Sequence, residues 1–479
     1  MKSIKKIGAL LLVSVMWSCA EKKEFIVADL AIRNITIVDA ENEPKAGMTV
    51  LLKSERIVAI GTELSLDENV KVIDGTGKFL IPGLWDFHVH LTFDSMITPS
   101  MYDLFLANGI TSIRDTGGLL EKMLPMKSQA ESDPQRYPRL MWAGPLLDGK
   151  TVVYDGSTLN NPEIGVGIEN EEDARVMIEQ LDKAGVDLLK AYEMLRPEVY
   201  QSILAIAKEK NLPVTGHVPL SMDVITASNA GLSSMEHFRN IEMSAAANAP
   251  DLLEDRLKLL AEGRNTPGSA LRSSIHSAQR IEAVRNIDST RLEAIAAALT
   301  ANNTVQIPTL GIAGGRMHAL WEQEEWIATF DGLSENARAA WLQNAAALSA
   351  SEASPENIEY AKFCYSLVRY LADRGVKILA GTDTPIFFLT PGFSLHKELE
   401  FLVNAGLSER EALAAATTLP AQYFGLEAEL GLVKKDYFAD LVILESNPLE
   451  EISNTQKISG VFRNGKYYDR QALDGLLER

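Results

Sequence analysis

The stretch "LIPGLWDFHVHL", residues 80–91, is an apolar, strand-like run that ends in two histidines one residue apart. In an extended strand alternate side chains point the same way, so His88 and His90 share one face and can reach a single metal ion together. Histidines at this spacing also occur as satisfied core or surface residues. The rest of the chain decides between the two.

Downstream, apolar bursts alternate with helical stretches: "ITSIRDTGG", "RLMWAGP", "VDLLKAYE", "LPVTGHVP", "SSMEHF", "TVQIPTLG" and "VKILAGTDTP". With the opening stretch they make eight. Continuous Val/Ile/Leu bursts separated by helices indicate a parallel sheet buried on both faces, and eight of them predict an α/β fold, a closed (β/α)8 TIM-type barrel over residues 80–427. The helical pattern is clearest in "NEEDARVMIEQLDKAGV", which opens on an Asn170 cap. Two connections, 241–303 and 311–375, are longer than a crossover needs and read as helical. They are expected either to cover the face built from the loops after the strands or to pack on the outside.

Both ends of the chain alternate instead. "LAIRNITIVDA", "MTVLLKSERIVAIG" and "KVIDGTGKFLI" read as short strands, as do "ADLVILESNP" and "KISGVFRNGKYYD", the last with a turn at Asn464-Gly465. Neither end is long enough for a large sheet alone, so residues 27–79 and 428–479 are expected to pair into one small composite β domain beside the barrel.

Of the 479 residues 46% are hydrophobic and 23% charged, the profile of a globular protein with a large core. A formal charge of −19 and no cluster of Lys and Arg argue against nucleic-acid binding. With only Cys19 and Cys364, neither a disulfide framework nor a cysteine zinc site is available, so any metal must bind through His and carboxylates. Lys2, Lys5 and Lys6 precede an apolar run over residues 7–15 that is too short to span a bilayer, and residues 1–19 read as an export signal. Cys19 after Ser18 resembles the acylation site of bacterial lipoproteins, which implies a lipid anchor in the cell envelope and no other membrane attachment. Cleavage after Ala20, giving a soluble periplasmic or secreted protein, is the alternative. A homo-oligomer is compatible with all of this.

Polar residues fall at the ends of the expected strands. His88 and His90 end the first, Lys190 sits in the fourth, His217 ends the fifth, His237 the sixth and Asp383 the eighth. Active sites of such barrels are assembled from the C-terminal ends of different strands, so these scattered side chains can converge. Singly, His217 could serve a backbone carbonyl, His237 could cap local structure and Asp383 could hold a turn before Pro385. Lys190 is harder to dismiss, because it lies in a run that should be buried and lysine is almost never buried without a partner. Burial lowers its pKa, and a neutral amine can take up carbon dioxide, free or from bicarbonate, to form a carbamate. Four histidines, a bridging carbamate and an aspartate would hold two divalent ions, with zinc favoured over manganese, iron or cobalt.

The ordered set "DFHVHL", "LLKAYE", "VTGHVP", "MEHF" and "AGTDTP" resembles the amidohydrolase superfamily, in its two-metal branch with a carboxylated lysine, near the prolidase-like and imidazolonepropionase-related members. The similarity runs over residues 35–468 and includes the split β domain. It implies that His88, His90 and Asp383 bind one metal, that His217 and His237 bind the other, and that carboxylated Lys190 bridges them together with a hydroxide. That hydroxide would attack a carbonyl carbon while Asp383, as general acid and base, carries the proton to the departing amine, hydrolysing a C–N bond. One-metal deaminases of the superfamily carry a glutamate three residues after the strand-five histidine, whereas "VPL" follows His217, which disfavours deamination. Many prolidase-like members have a Gly-Gly-His loop on strand three. This chain reads "AGPLLDGKTVVYDG" there, so their substrate preference does not transfer.

Tyr192, two residues after Lys190, is a candidate to reach the substrate carbonyl or carboxylate, or else an aromatic packed at the barrel mouth. Arg239 and Arg114 are candidates to clamp a substrate carboxylate, with structural pairing to Asp115 or Glu236 as the competing reading. His276, His318 and His396 read as structural. The expected activity is that of a dipeptidase or related amide hydrolase acting on a small molecule. A cyclic amide or lactone hydrolase is the second reading, and a noncatalytic surface lipoprotein that binds through its barrel is the third.

Overall fold

The alternating N-terminal run folds as β1 (Leu30–Ile37), β2 (Lys45–Lys53), β3 (Arg56–Gly61), β4 (Lys71–Asp74) and β5 (Phe79–Pro82), in a computed structural model that describes residues 26–65, 69–158 and 161–478. The expected export signal over residues 1–19 and the expected lipid site Cys19 lie outside the described residues. Three strands from the far end of the chain complete the sheet, in the order Lys466–Asp469, Ile458–Arg463, Leu441–Leu444, β5, β1, β2, β3, with β4 also paired to β1. Ile32, Ile35, Val50 and Leu52 from one end pack against Leu441, Ile443 and Phe462 from the other. Each buried side chain of this kind contributes about 1.5–3 kcal/mol, so neither end of the chain has a complete core without the other. The turn between the last two strands is Asn464-Gly465, both at positive φ (50° and 82°), as a two-residue hairpin requires. The sheet runs through Pro82, and after Gly83 the chain enters the barrel directly.

The barrel strands are β6 (Leu84–Val89), β7 (Ile110–Asp115), β8 (Arg139–Trp142), β9 (Leu146–Asp148), β10 (Gly165–Gly167), β11 (Leu189–Ala191), β12 (Val214–Gly216), β13 (Ser234–Glu236) and β14 (Val305–Ile307). β6, β7 and β8 pair in parallel, as do β9, β11, β12, β13 and β14, with β10 on the outer edge of β9. Every residue of β6 and β7 is buried, the mark of strands covered on both faces. The third stave is built from β8 and β9 in succession. The eighth is the segment over residues 376–384, which closes the ring by single parallel bridges from Ile378 to Gln306 and from Thr384 to Val89. The Leu379 N–H donates to the Gln306 carbonyl at 2.8 Å and the His90 N–H to the Thr384 carbonyl at 2.9 Å.

Gly381 explains how this last stave seats so closely. A Cβ there would stand 2.7 Å from both the His88 Cβ and the Ile307 Cγ2. Overpacking of this kind costs about 1–3 kcal/mol, so Gly381→Ala is expected to lower the urea midpoint by that amount of stability while leaving the denaturant slope unchanged. An unchanged midpoint would show that the eighth stave has slack.

The helix Glu171–Ala184 begins on the Asn170 side chain, which accepts from the Asp173 N–H at 3.0 Å. The two long connections are helical. The first carries Ala249–Glu262, Gly268–Arg285 and Ser289–Ala301, the second Glu335–Ser349 and Pro355–Ala372. Among the described residues no helix is long and apolar enough to cross a membrane.

Candidate active site

Along β6 and just beyond it, Trp85 and Phe87 pack against Val305, Ile307 and Leu379, whereas the polar atoms of Asp86, His88 and His90 are directed toward residues 382–384. The period-two alternation of the sequence thus separates packing from chemistry. His88 Nε2 and His90 Nε2 stand 3.4 Å apart, and Asp383 Oδ1 lies 3.1 Å from the first and 3.2 Å from the second. Asp383 Oδ2 is 3.7 Å from His237 Nε2. Residues 88, 90, 237 and 383 therefore meet at one point although they come from three strands.

Three of the four other ring nitrogens are occupied, and His88 Nδ1 is buried without a hydrogen-bond partner. His90 Nδ1–H donates to the Gly117 carbonyl at 3.2 Å, His237 Nδ1 bonds the Thr309 hydroxyl, and His217 Nδ1–H donates to Glu193 Oε1 at 2.6 Å. A histidine whose Nδ1 is held by a protein acceptor presents Nε2 with a free lone pair, the arrangement seen in metal ligands. Burial pushes His217 down to about 3 and holds His88 and His237 well below the ordinary imidazole value, so all three are neutral. Burial acts against ionised Asp383, but neighbouring His88 and His237 and the hydrogen bonds from His88 and His90 bring its carboxyl well below the usual range. Two overlapping donor triads result: His88, His90 and Asp383, and His88, Glu236 and His237. Asp383 Oδ1 is met by the His88 and His90 nitrogens and Glu236 Oε2 by the Lys190 amine. Neutral imidazoles and carboxylate oxygens packed this closely fit divalent cations.

Backbone strain accompanies the convergence. His237, Asp383 and Thr309 lie at φ values of 59°, 66° and 48°, a region costly for residues with a Cβ and one concentrated at functional sites.

Lys190 is 1% exposed, and burial holds its amine well below the ordinary lysine value. Its Nζ touches Glu236 Oε2, and Glu236 Oε1 accepts from Arg114 at 3.0 Å and from Thr215 at 2.8 Å. His217 and Lys190 stand outside both triads, with the His217 ring 4.8 Å from that of His237.

Arg114 takes the structural alternative. Its guanidinium is fully buried and bonds the Phe87 carbonyl, Thr215, Ser234 and Glu236, which leaves nothing for the substrate carboxylate expected of it. Arg239 remains 20% exposed and pairs with neither Asp115 nor Glu236; its nearest carboxylate is Glu193 at 3.8 Å. The Tyr192 ring lies 4.4 Å from that of His217, and its hydroxyl accepts from Arg272 at 3.2 Å.

Several residues of this site go beyond the sequence reading. Glu236 is a donor in its own right, signalled only by its place beside His237 in "MEHF". Asp86 accepts from the Thr382 N–H at 3.0 Å and the Thr382 hydroxyl at 2.7 Å, tying β6 to the residue before Asp383. Glu193 accepts from His217 and, on its other oxygen, from His276 Nε2 at 2.7 Å. Burial would raise its carboxyl, yet Arg239, His276 and the bond from His217 hold it well below the usual range. His276, expected to be structural, thus reaches the site through Glu193, and the first long connection covers the active face. His318, bonded to Tyr365, and His396, bonded to Thr455 and the Asn108 carbonyl, do stay in packing roles. Where a Gly-Gly-His loop is missing, Asp148 organises the loop after β9 by accepting from the Gly149, Val153 and Met194 N–H groups. That loop carries Tyr154, 5.9 Å from Tyr192 and 6.0 Å from Phe93 between ring centroids.

Comparison with known proteins gives a consistent picture. Residues 336–467 match the model of the amidohydrolase family. Ochratoxinase of Aspergillus niger is 37% identical over 99 residues, 20% of this chain and 20% of that protein. Adenine deaminase 2 of Shouchella clausii (strain KSM-K16) is 35% identical over 88 residues, 18% of this chain and 15% of that protein. The aligned stretch thus spans a fifth or less of these curated relatives. Over the whole fold, the crystal structure of a Xaa-Pro dipeptidase with bound methionine in the active site superposes with a TM-score of 0.65 at 17% identity, covering 92% of this chain and 99% of that one.

Proposed function

We propose that the chain is a member of the amidohydrolase superfamily, whose family model matches residues 336–467, and that it is a metal-dependent hydrolase of a C–N amide bond in a small substrate, a dipeptide or a related amide. The observation that carries the reading is the convergence of the His88 and His90 Nε2 atoms on Asp383 Oδ1, with His237 and Glu236 adjoining. When bound, two divalent ions supply a Lewis acid for the carbonyl and lower the pKa of water toward neutrality.

The chain's own residues supply the rest. His88, His90 and Asp383 would hold one ion, and His217 and His237 the other. Lys190, neutral in its buried place, adds carbon dioxide: its nitrogen bonds to the carbon, a proton leaves, and an N-linked carboxylate remains between the two sets. Asp383 takes the proton of the attacking water and returns it to the departing amine, a role worth about 10²–10⁴ in rate. Tyr192, whose oxygen accepts from Arg272, keeps its O–H free to donate to the substrate. Glu193, fixed by His276, orients His217. Arg239 faces the substrate's polar end.

Deamination has less support, since Leu220 stands three residues after His217 where those enzymes carry an acid. The test combines metal analysis with a substrate panel. Metal-replete protein is expected to hold close to two ions per chain, zinc foremost, and to cleave Xaa-Pro or other dipeptides in preference to lactones and cyclic amides. Turnover of no dipeptide would reject the dipeptidase reading, and turnover of lactones alone would favour the cyclic-substrate alternative.

A further inference from the structure

The helix Phe393–Asn404, which follows the eighth stave, buries Glu398 to 1% exposure. Among the described residues its carboxylate has no ion-pair partner, only two backbone donors: the Leu310 N–H donates to Oε1 at 2.7 Å and the Gly311 N–H to Oε2 at 2.9 Å. A carboxylate this far out of water is costly, so its place calls for a reason.

Its two donors are the first residues of the short helix Leu310–Gly314, which leads into the second long connection. The first N–H groups of a helix have no partner within it, and the residue before them normally supplies one from its own side chain, as Asn170 and Ser354 do. Thr309 holds that place, and a threonine is suited to it, yet its hydroxyl makes no such bond. It donates instead to the Pro308 carbonyl at 2.7 Å and meets His237 Nδ1. A hydroxyl has one proton to give. With that proton on Pro308, the bond to His237 runs the other way: Nδ1–H donates, and Nε2 keeps its lone pair, 3.7 Å from Asp383 Oδ2.

We propose that Glu398 is a positioning residue for His237: by satisfying the first-turn amides from another helix, it leaves the Thr309 hydroxyl to fix the imidazole with Nδ1 protonated and Nε2 facing the donor set. The inference rests on the reading of His237 as a metal ligand. Thr309 sits at φ 48°, a costly conformation for a residue with a Cβ, and the carboxylate holds the two residues that follow it against relaxation. Glu398 is itself delivered from an anchored helix, since His396 bonds Thr455 and Lys397 pairs with Glu325. A carboxylate suits the task because each of its oxygens takes one N–H.

The test is Glu398→Gln, whose amide has one acceptor and turns an N–H against either Leu310 or Gly311. In the metal-free full-length chain labelled with ¹⁵N-histidine, with His237→Gln identifying the resonance, wild type is expected to show His237 protonated at Nδ1 alone. Glu398→Gln and Thr309→Val are each expected to spread that proton over both ring nitrogens. Cobalt titration gives a second reading: each single variant is expected to hold one of two cobalt ions about 10- to 100-fold less tightly, the usual cost of losing a group that orients a metal ligand. Because both variants act on one hydroxyl, the double variant is expected to be no worse than Thr309→Val alone. Losses that multiply would place the effect of Glu398 elsewhere and overturn the proposal, as would a wild-type His237 protonated at Nε2 or an unchanged tautomer in Glu398→Gln. Where Glu398→Gln does not fold, Glu398→Asp, which keeps the charge but is too short to reach both amides, is read the same way. The nitrogen-15 reading needs neither metal nor turnover, so a supporting result stands even if no amide is cleaved, the outcome that would defeat the amide-hydrolase reading alone.

Discussion

Asp383→Asn is expected to lower kcat by at least about 10³-fold, because one side chain serves two purposes that the amide cannot. A general acid/base is worth about 10²–10⁴ in rate, and the amide has no carboxylate to take a proton. The carboxylate also stands 3.1 and 3.2 Å from the His88 and His90 nitrogens and 3.7 Å from that of His237, so it is the anion around which three imidazoles gather. Its substitution is expected to weaken metal retention as well as turnover. The measurement is kcat at saturating substrate beside metal content per chain. A variant that keeps both within about tenfold of wild type would remove Asp383 from the chemistry. A variant that keeps its metals but not its rate would assign it the proton alone.

Lys190→Ala should be nearly as damaging, and it separates two roles for one buried amine. Carboxylated, Lys190 adds a negative charge between the donor sets, and its loss is expected to take about one of the two ions and about 10³-fold of the rate, with acetate restoring part of each. Protonated, it would instead serve as the partner of Glu236, which its Nζ touches. Removing it then strands a buried carboxylate that keeps only Arg114 and Thr215, a loss of about 3–5 kcal/mol of stability that acetate cannot repair. Metal content, rescue by acetate and the urea midpoint distinguish the outcomes. A carbamate signal from ¹³C-labelled bicarbonate, present in wild type and absent in Lys190→Ala, would support the first. Failure of rescue together with a collapsed midpoint would sink it.

These predictions draw on residues of unequal visibility. His88, His90, Lys190, His217, His237 and Asp383 stand at strand ends whose apolar bursts are themselves visible in the chain, so barrel topology carries them toward a common mouth. Arg114 shows where that logic fails, because it too lies on a barrel strand yet its buried guanidinium makes its hydrogen bonds inside the wall. Glu193 and His276 show the reverse. Neither stands out in its segment, yet together they hold the Nδ1 of His217.

The amino-acid sequence by itself determined the barrel and the small sheet shared by the two ends of the chain, because strand burial and alternation are local patterns that survive any arrangement of the rest. Only the tertiary structure decided which charges meet: that Glu236 joins the donors beside Lys190, that Arg114 is consumed in the wall, and that an inserted helix brings Arg272 and His276 down onto Tyr192 and Glu193. The reason is physical. A polar residue on a helix or strand has the same local pattern whichever neighbour it meets, and what it meets depends on packing between segments some eighty residues apart.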